Sequence, residues 1–387
     1  MENVKLLIKR LPNPKNEQES YDNFIALYNC FTPEQWLETD TLFEMLNYIA
    51  RNRSEFVDLG TRLNVQVNLY LRSIMNYHEN PSQMLNDIGC FALTESSAGV
   101  LSGLVVDVKF EERSDSYILN SGDVSKKWIS QGMLANKGLV FASDVVNHRD
   151  CRIFLVDMCA PGITRNRMTN IPVSSILDLA EIRYHNVVLP KSAVLSKTVP
   201  LSRKELLMGI FYGRLCLAEV VMNSISEFVT MVYTKIRTIS KFDKLGYLDY
   251  IAKLDTALTE YCQQMAKRRN SLLETKDVMR INCYKVYCVE TAIYIYNKIH
   301  MMFGTHAFGF GLDYQTLILN KVAEGDTSVL KLACIKQHID NVGIVRGLSC
   351  RHWANVLYDP VKYVMMNRDM FFNELVGTQI DLLSCDL

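Results

Sequence analysis

The sequence predicts an α+β protein in three parts: a helical unit over residues 1–87, a β unit over 88–200 and a helical bundle over 201–387. Three observations predict it. Apolar residues recur at helical spacing at both ends of the chain, and the middle switches to the two-residue alternation of strands. Turn formers such as Asn120-Ser121-Gly122-Asp123 and Ala160-Pro161-Gly162 separate the short runs of that middle part. The long stretches after it carry more apolar residues than isolated surface helices need, which suits a bundle.

In the first part, Phe24-Ile25-Ala26-Leu27-Tyr28, then Leu42, Phe43, Leu46 and Ile49, then Val65, Val67, Leu69 and Leu71 keep the helical period. Pro33 after Thr32 reads as a first-turn proline opening the helix that holds Trp36, where a missing N–H costs nothing. In the second part, residues 104–110 alternate, Tyr117-Ile118-Leu119 follows a polar turn, and 138–142, 153–157 and 182–188 are short β-branched or aromatic runs. Short strands at such spacing predict a compact sandwich or barrel. In the third part, helices are predicted over 206–236, 247–272, 278–303, 327–344 and 360–383.

Composition narrows the function. With 49% hydrophobic and 22% charged residues among 387, the chain has material for a large core. Lys plus Arg equals Asp plus Glu at 42 each, which removes the electrostatic case for nucleic acid as the main partner. The 11 cysteines are scattered without a CxxC pair or zinc-type spacing, as expected of free thiols in a reducing compartment. No metal is expected. Met1 to Arg10 is short, mixed and charged, unlike a secretory signal, and Ser384-Cys385-Asp386-Leu387 differs from the peroxisomal tripeptide. No apolar stretch reads as a bilayer span, so a cytoplasmic protein is expected. No glycine-rich phosphate loop follows a strand, which argues against Rossmann-type binding. His306 has no acid or nucleophile at recognisable spacing, and His338 and His352 read as helix-face residues.

One carboxylate stands apart. Glu324 lies between the apolar stretch Leu317, Ile318, Leu319, Val322, Ala323 and a glycine, just before a helix opened by Asp326, Thr327 and Ser328. A carboxylate partly desolvated there is expected to hold its proton more tightly than in water. The bland alternative is a solvated turn residue ahead of a helix cap. Likewise, Trp128 reads as a core tryptophan on a strand, the commoner fate of that residue, and Thr94 as a cap or strand-edge hydroxyl.

Several segments, in order, resemble acyl-CoA oxidases and acyl-CoA dehydrogenases. Cys90-Phe91-Ala92-Leu93-Thr94-Glu95 is similar to the segment that opens the family's middle domain. Lys127-Trp128-Ile129-Ser130-Gln131-Gly132 resembles its Trp-Ile-Thr-Asn-Gly strand. Phe154-Leu155-Val156-Asp157 with Pro161-Gly162, and Asn186-Val187-Val188-Leu189-Pro190, resemble later strands. Gly213-Arg214 with Ala218 resembles the first bundle helix, and Phe303-Gly304-Thr305-His306-Ala307-Phe308 the glycine-rich turn. Glu324-Gly325-Asp326 resembles the Glu-Gly-Asp of the oxidase branch, and Leu357-Tyr358-Asp359-Pro360 with Arg368 and Leu375 the oxidase extension. Each motif alone is common; the ordered set over roughly residues 90 to 380 is more specific.

The resemblance implies an acyl-CoA dehydrogenase-like fold with FAD between the β unit and the bundle. It implies that Thr94 and Ser130 hydrogen-bond the flavin ring, that Trp128 covers it, and that Gly99, Gly304 and Thr305 also contact the cofactor. Glu324 is implied as the base for the substrate's α-proton, with Arg214 and Gly325 at the substrate. The substrate would be an acyl-CoA or acyl-carrier thioester. Gly213 stands where some relatives carry the base on the first bundle helix, which favours Glu324.

The sequence departs from the family around the pyrophosphate. Gly99 is followed by Val100 and Leu101 where the family has a serine loop. Ile239 stands three residues before Phe242, where the family has an arginine; the closest arginine is Arg237, and Ser240 lies between. Thr305 and Ala307 replace two glycines, and Met301 a glutamine. Losing one charge-assisted contact costs about 1.5–3 kcal/mol. These departures motivate a second reading, a non-catalytic partner subunit or interaction protein of the same fold. A third, other flavin chemistry such as hydroxylation or nitroalkane oxidation, is disfavoured by Glu324. A homo-oligomer, dimer or tetramer, or a hetero-oligomer with a homologue is expected.

Overall fold

The structure is a computed structural model that describes residues 1–53, 57–97, 106–169, 177–195, 208–239, 246–310, 312 and 314–342. Gly99, the segment 240–245 and the helix predicted over 360–383 lie outside the described residues. The fold is α+β, in the predicted order of helices, strands and helices. The chain divides into two compact units, Met1–Cys216 and Leu217–Leu387.

The first unit opens with α1 (Glu2–Arg10), α2 (Glu17–Tyr28), α3 (Pro33–Leu37), α4 (Thr39–Asn52) and α5 (Val57–Asn64). Pro33 does stand at the first turn of α3, behind a capping box in which Thr32 and Gln35 each accept from the other's backbone N–H. The box aims Trp36 inward, where its Nε1 donates to the carbonyl of Tyr28 at 2.7 Å and the ring is fully buried. After α5 the chain widens into a π-helical segment, Val65–Leu71, before α6 (Arg72–Tyr77). The sequence predicts an ordinary helix there. The wider turn instead buries every side chain, polar Gln66 and Asn68 included. Gln66 then behaves as a strand neighbour: it donates to the Asp87 carbonyl (2.8 Å) and accepts from Gly89 N (2.9 Å). Gly89 must be glycine, because a Cβ would fall 2.0 Å from the Tyr70 ring.

Nine strands follow among the described residues. β1 (Gly89–Ala92), β2 (Lys109–Glu112), β3 (Ser116–Asn120), β5 (Lys137–Asp144), β6 (Cys151–Asp157) and β9 (Val187–Pro190) form a six-stranded sheet ordered β1-β5-β2-β3-β9, with β6 antiparallel along β5. β4 (Lys126–Ser130), β8 (Leu179–Tyr184) and β7 (Ile163–Arg167) form a second sheet. Residues of both sheets share one core, with Phe110, Phe154 and Val140 from the first and Ile129, Ala180 and Ile182 from the second. Of the predicted sandwich or barrel, two sheets on one core make a sandwich. Within the predicted strand 104–110, ladder pairing begins only at Lys109 among the described residues. Asp107 N and Val108 N donate to the buried Glu95 carboxylate instead (2.6 and 3.1 Å), so those amides are spent on a side chain.

α7 (Met208–Ile236) is followed in the second unit by α8 (Tyr247–Thr275), α9 (Val278–Phe303), α10 (Tyr314–Val322) and α11 (Thr327–Val342). α9 starts where the sequence predicts, because Asp277 caps it by accepting from Met279 N and Arg280 N. α8 runs three residues past its predicted end at 272, to a left-handed Lys276. Arg269 on α8 and Glu219 on α7 form a buried two-oxygen ion pair at 3.0 and 3.1 Å. One expectation needs correcting. Ile210–Ile236 is long and apolar enough to cross a membrane by length and composition, with a mean hydropathy of 1.5 over its richest stretch. Of that stretch, 67% is buried inside the protein, as in a core helix.

Candidate functional site

The resemblance points first to Thr94, Trp128 and Ser130, and the structure brings these three together in the first unit. β1 leads to Thr94, whose carbonyl accepts from Lys127 N at 2.9 Å, and Glu95 bridges to Lys126 at the start of β4. The Glu95–Lys126 ion pair is fully buried at 2.6 Å. Burial pulls the Lys126 ammonium below its ordinary value, while Glu95 acts against that shift.

Trp128 is not the core tryptophan of the bland reading. Opposite β8 the register of β4 slips between Lys126 and Ile129, and Trp128 takes a left-handed φ of 64°. That conformation strains a bulky residue, and here it turns the indole outward, 49% exposed. Lys127 Nζ lies 5.9 Å from the ring centroid. The Thr94 and Ser130 hydroxyls are half-buried, and neither is committed to a hydrogen bond among the described residues. The exposed indole and the two uncommitted hydroxyls, brought near one another by the Thr94–Lys127 backbone bond, are groups that could hold a flat, polar-edged ring.

Sequence reasoning missed what holds this surface in place. Gln131, also left-handed at φ 64°, is fully buried and donates from Nε2 to the Gly89 carbonyl at 3.0 Å. Its backbone N–H donates to the carbonyl of Asp178, whose carboxylate accepts from Met133 N at 3.0 Å. Asp178 pairs with Arg62 of α5 at 2.5 Å, both side chains fully buried. Arg62 Nε donates to Ser20 Oγ at 3.0 Å, and Ser20 donates to Asp58. Burial pushes the carboxyls of Asp178 and Asp58 above the usual range, opposed by the Arg62 charge. Local periodicity carries no trace of this network, because its partners come from α2, α5 and the segment before β8.

Glu324 and Gly325 share one turn in the second unit. α10 ends at Val322, and Glu324 (φ 55°) and Gly325 (φ 105°) are both left-handed. Asp326 then caps α11 by accepting from Ser328 N at 2.8 Å. Glu324 is half-buried, neither sunk in a core nor fully solvated. The turn is held by Lys285, another residue the sequence did not single out. Its Nζ donates to the carbonyls of Gly325 (2.8 Å) and Lys321 (3.3 Å).

Arg214 is buried on α7, with its guanidinium 5.5 Å from the Phe211 ring. Gly304 ends α9 with φ 54°, and Thr305 follows in a 3₁₀ turn. Arg237 is exposed just past α7, Met301 is exposed on α9, and Ala307 is buried. No group of three metal-ligating side chains occurs among the described residues.

No family model matches the sequence, and no curated protein matches it. Solved structures do match. Butyryl-CoA dehydrogenase from Megasphaera elsdenii superposes with a TM-score of 0.72 at 15% identity, over 87% of this chain and 97% of that one. The chain has the acyl-CoA dehydrogenase fold. PigA with FAD and proline superposes with a TM-score of 0.69 at 15% identity, over 87% of this chain and 96% of that one. For glutaryl-CoA dehydrogenase from Mycobacterium smegmatis in complex with FADH2 the TM-score is 0.60 at 20% identity, over 87% and 93%. At these identities the likeness concerns the acyl-CoA dehydrogenase fold itself, and a fold does not fix a reaction.

Proposed function

We propose that the protein is a flavoenzyme that introduces an α,β double bond into an acyl thioester carried by coenzyme A or an acyl-carrier protein. The observation that carries this reading is the outward, left-handed Trp128 flanked by the uncommitted hydroxyls of Ser130 and Thr94. Strain of that kind is kept where a ligand repays it. Those three residues would hold the ring of FAD, and the resemblance adds Gly99, Gly304 and Thr305 as further cofactor-binding residues. FAD supplies the acceptor for the hydride that leaves the substrate's β-carbon.

Glu324 takes the α-proton. Its half-buried carboxylate, on a turn fixed by Lys285 and by the Asp326 cap, is a base held in one place rather than a mobile surface group. Gly325, with no side chain, lets a thioester carbonyl approach backbone N–H donors, and polarising that carbonyl makes the α-proton more acidic. Arg214 serves the substrate. The Glu324-Gly325-Asp326 motif and Leu357-Tyr358-Asp359-Pro360 favour the oxidase branch, with oxygen as the final acceptor. A homo-oligomer is part of the reading.

The second reading, a non-catalytic partner subunit, is favoured by Val100 and Leu101 after Gly99 and by Ile239 before Phe242. One experiment separates the two. The visible spectrum of the purified protein is recorded with added FAD, then under anaerobic titration with acyl-CoAs of graded length. Bleaching of a flavin band that is lost in Glu324→Gln, with flavin still bound, supports the enzyme. Failure to bind FAD at high concentration, or no bleaching with any thioester, moves the assignment to the partner subunit.

A further inference from the structure

Lys285 is fully buried on α9, and the proposed reaction makes no direct use of its charge. A buried ammonium is costly unless its three donors find acceptors. Two of the acceptors are the carbonyls of Lys321 and Gly325, at 3.3 and 2.8 Å. Lys321 is in the last turn of α10, where carbonyls are left without helical partners and the helix dipole is negative. Gly325 is the second of the two left-handed residues that follow. The ammonium therefore grips the chain on both sides of Glu324, three residues before it and one after. On the same helix, Glu290 faces Lys321 (3.6 Å), Lys331 of α11 (3.4 Å) and the Thr327 hydroxyl (3.4 Å), and so ties the flanking helices to α9.

We infer that Lys285 is a positioning residue whose ammonium clamps the Glu324–Gly325 turn and so fixes the direction in which the Glu324 carboxylate is presented. The inference rests on the proposed role of Glu324. Without the clamp, nothing at position 285 opposes the release of a left-handed glutamate toward the more favourable right-handed region. With it, the carboxylate meets a substrate carbon without a search over turn conformations.

The test uses the full chain as wild type, Lys285→Met and Lys285→Arg. Two measurements are made: anaerobic flavin reduction by an acyl-CoA as a function of pH, and amide hydrogen exchange of the peptide spanning residues 320–329. For Lys285→Met the expected result is a fall of tenfold or more in the reduction rate at saturating substrate. FAD affinity stays unchanged, the pH profile shifts, and exchange accelerates in residues 324–327 alone. Lys285→Arg keeps donors at the two carbonyls and recovers a substantial part of the rate. If Lys285→Met does not fold, Lys285→Leu, likewise without a donor, takes its place. A wild-type rate and pH profile in the uncharged variant overturns the inference, as does exchange rising evenly across the second unit. If wild type reduces no flavin, the reading of the function falls instead, and local exchange at 324–327 still decides whether the clamp exists.

Discussion

Replacing Arg62 with methionine strands the buried Asp178 carboxylate, and its consequences can be worked out in some detail. The wild-type pair is 2.5 Å apart with both side chains fully buried. Arg62 is also linked through Ser20 to Asp58, a second buried carboxylate. Methionine fills much of the same volume, so the loss is mainly that of the charge partner. Breaking a buried pair from one side costs about 3–5 kcal/mol, because the remaining ion is left uncompensated. The sign of the pH dependence follows from the carboxyl, which burial already pushes up. A carboxyl whose folded-state value lies above its unfolded value stabilises the fold at low pH. That contribution is lost as pH rises from the unfolded value toward the folded one. Without Arg62 the folded value climbs further. The variant is therefore closest to wild type near pH 4–5 and furthest from it at pH 7–8. Urea titration followed by the emission of Trp36, fully buried in the first unit, gives the stability by linear extrapolation at each pH. Adding Asp178→Asn to Arg62→Met should recover part of the loss, so the double variant is less destabilised than the two singles summed. A loss below about 1 kcal/mol, an equal loss at pH 5 and pH 8, or strict additivity would refute the argument. Because Asp178 also anchors the turn after Trp128, the same variant should bind flavin less tightly.

Three further outcomes are expected. Gly89→Ala drives a methyl into the Tyr70 ring, 2.0 Å away, and should cost about 1–3 kcal/mol in a urea titration; Tyr70→Leu in the same chain should return some of it. The His300 ring lies tilted 4.2 Å from the Tyr296 ring, and burial holds its imidazole below the usual value. Its stabilising effect is then present above the unfolded value and lost as pH falls from there through the folded value. His300→Phe should therefore lose less melting temperature than wild type between pH 7.5 and 5.5, and equal losses would count against the assignment. Alkylation by iodoacetamide at pH 8 with peptide mapping should label the exposed Cys30 and Cys159 first. Cys90 and Cys288, buried and each pushed up to about 12, should stay unmodified until the protein unfolds.

How much of this was legible beforehand depends on whether a feature is written locally. The α9 limits were readable because Asp277 caps one end and a glycine follows the other, both signals within a turn of the helix. The π-helical Val65–Leu71 was not, since its extra residue per turn answers to Asp87 and Gly89, about 20 positions away. Val106 to Val108 alternates like a strand, yet the Asp107 and Val108 amides go to Glu95, and no periodicity reports a side chain competing for backbone donors. The ordered motifs pointed to a candidate site, but composition could say nothing of its geometry.

Trp128 shows why the local and distant terms must be read together. By itself a tryptophan between Lys127 and Ile129 belongs in a core, and the strand pattern around it agrees. Its outward turn requires a left-handed residue at 128 and another at 131, held by Gln131 on Gly89 and by Asp178 on Met133. Asp178 in turn needs a buried guanidinium from α5, far away in sequence. A fold that wanted only stability would do as well with an apolar pair in place of Arg62 and Asp178. Keeping the ions, and spending them on the turn that exposes an indole, is the pattern expected where the exposed surface has something to bind.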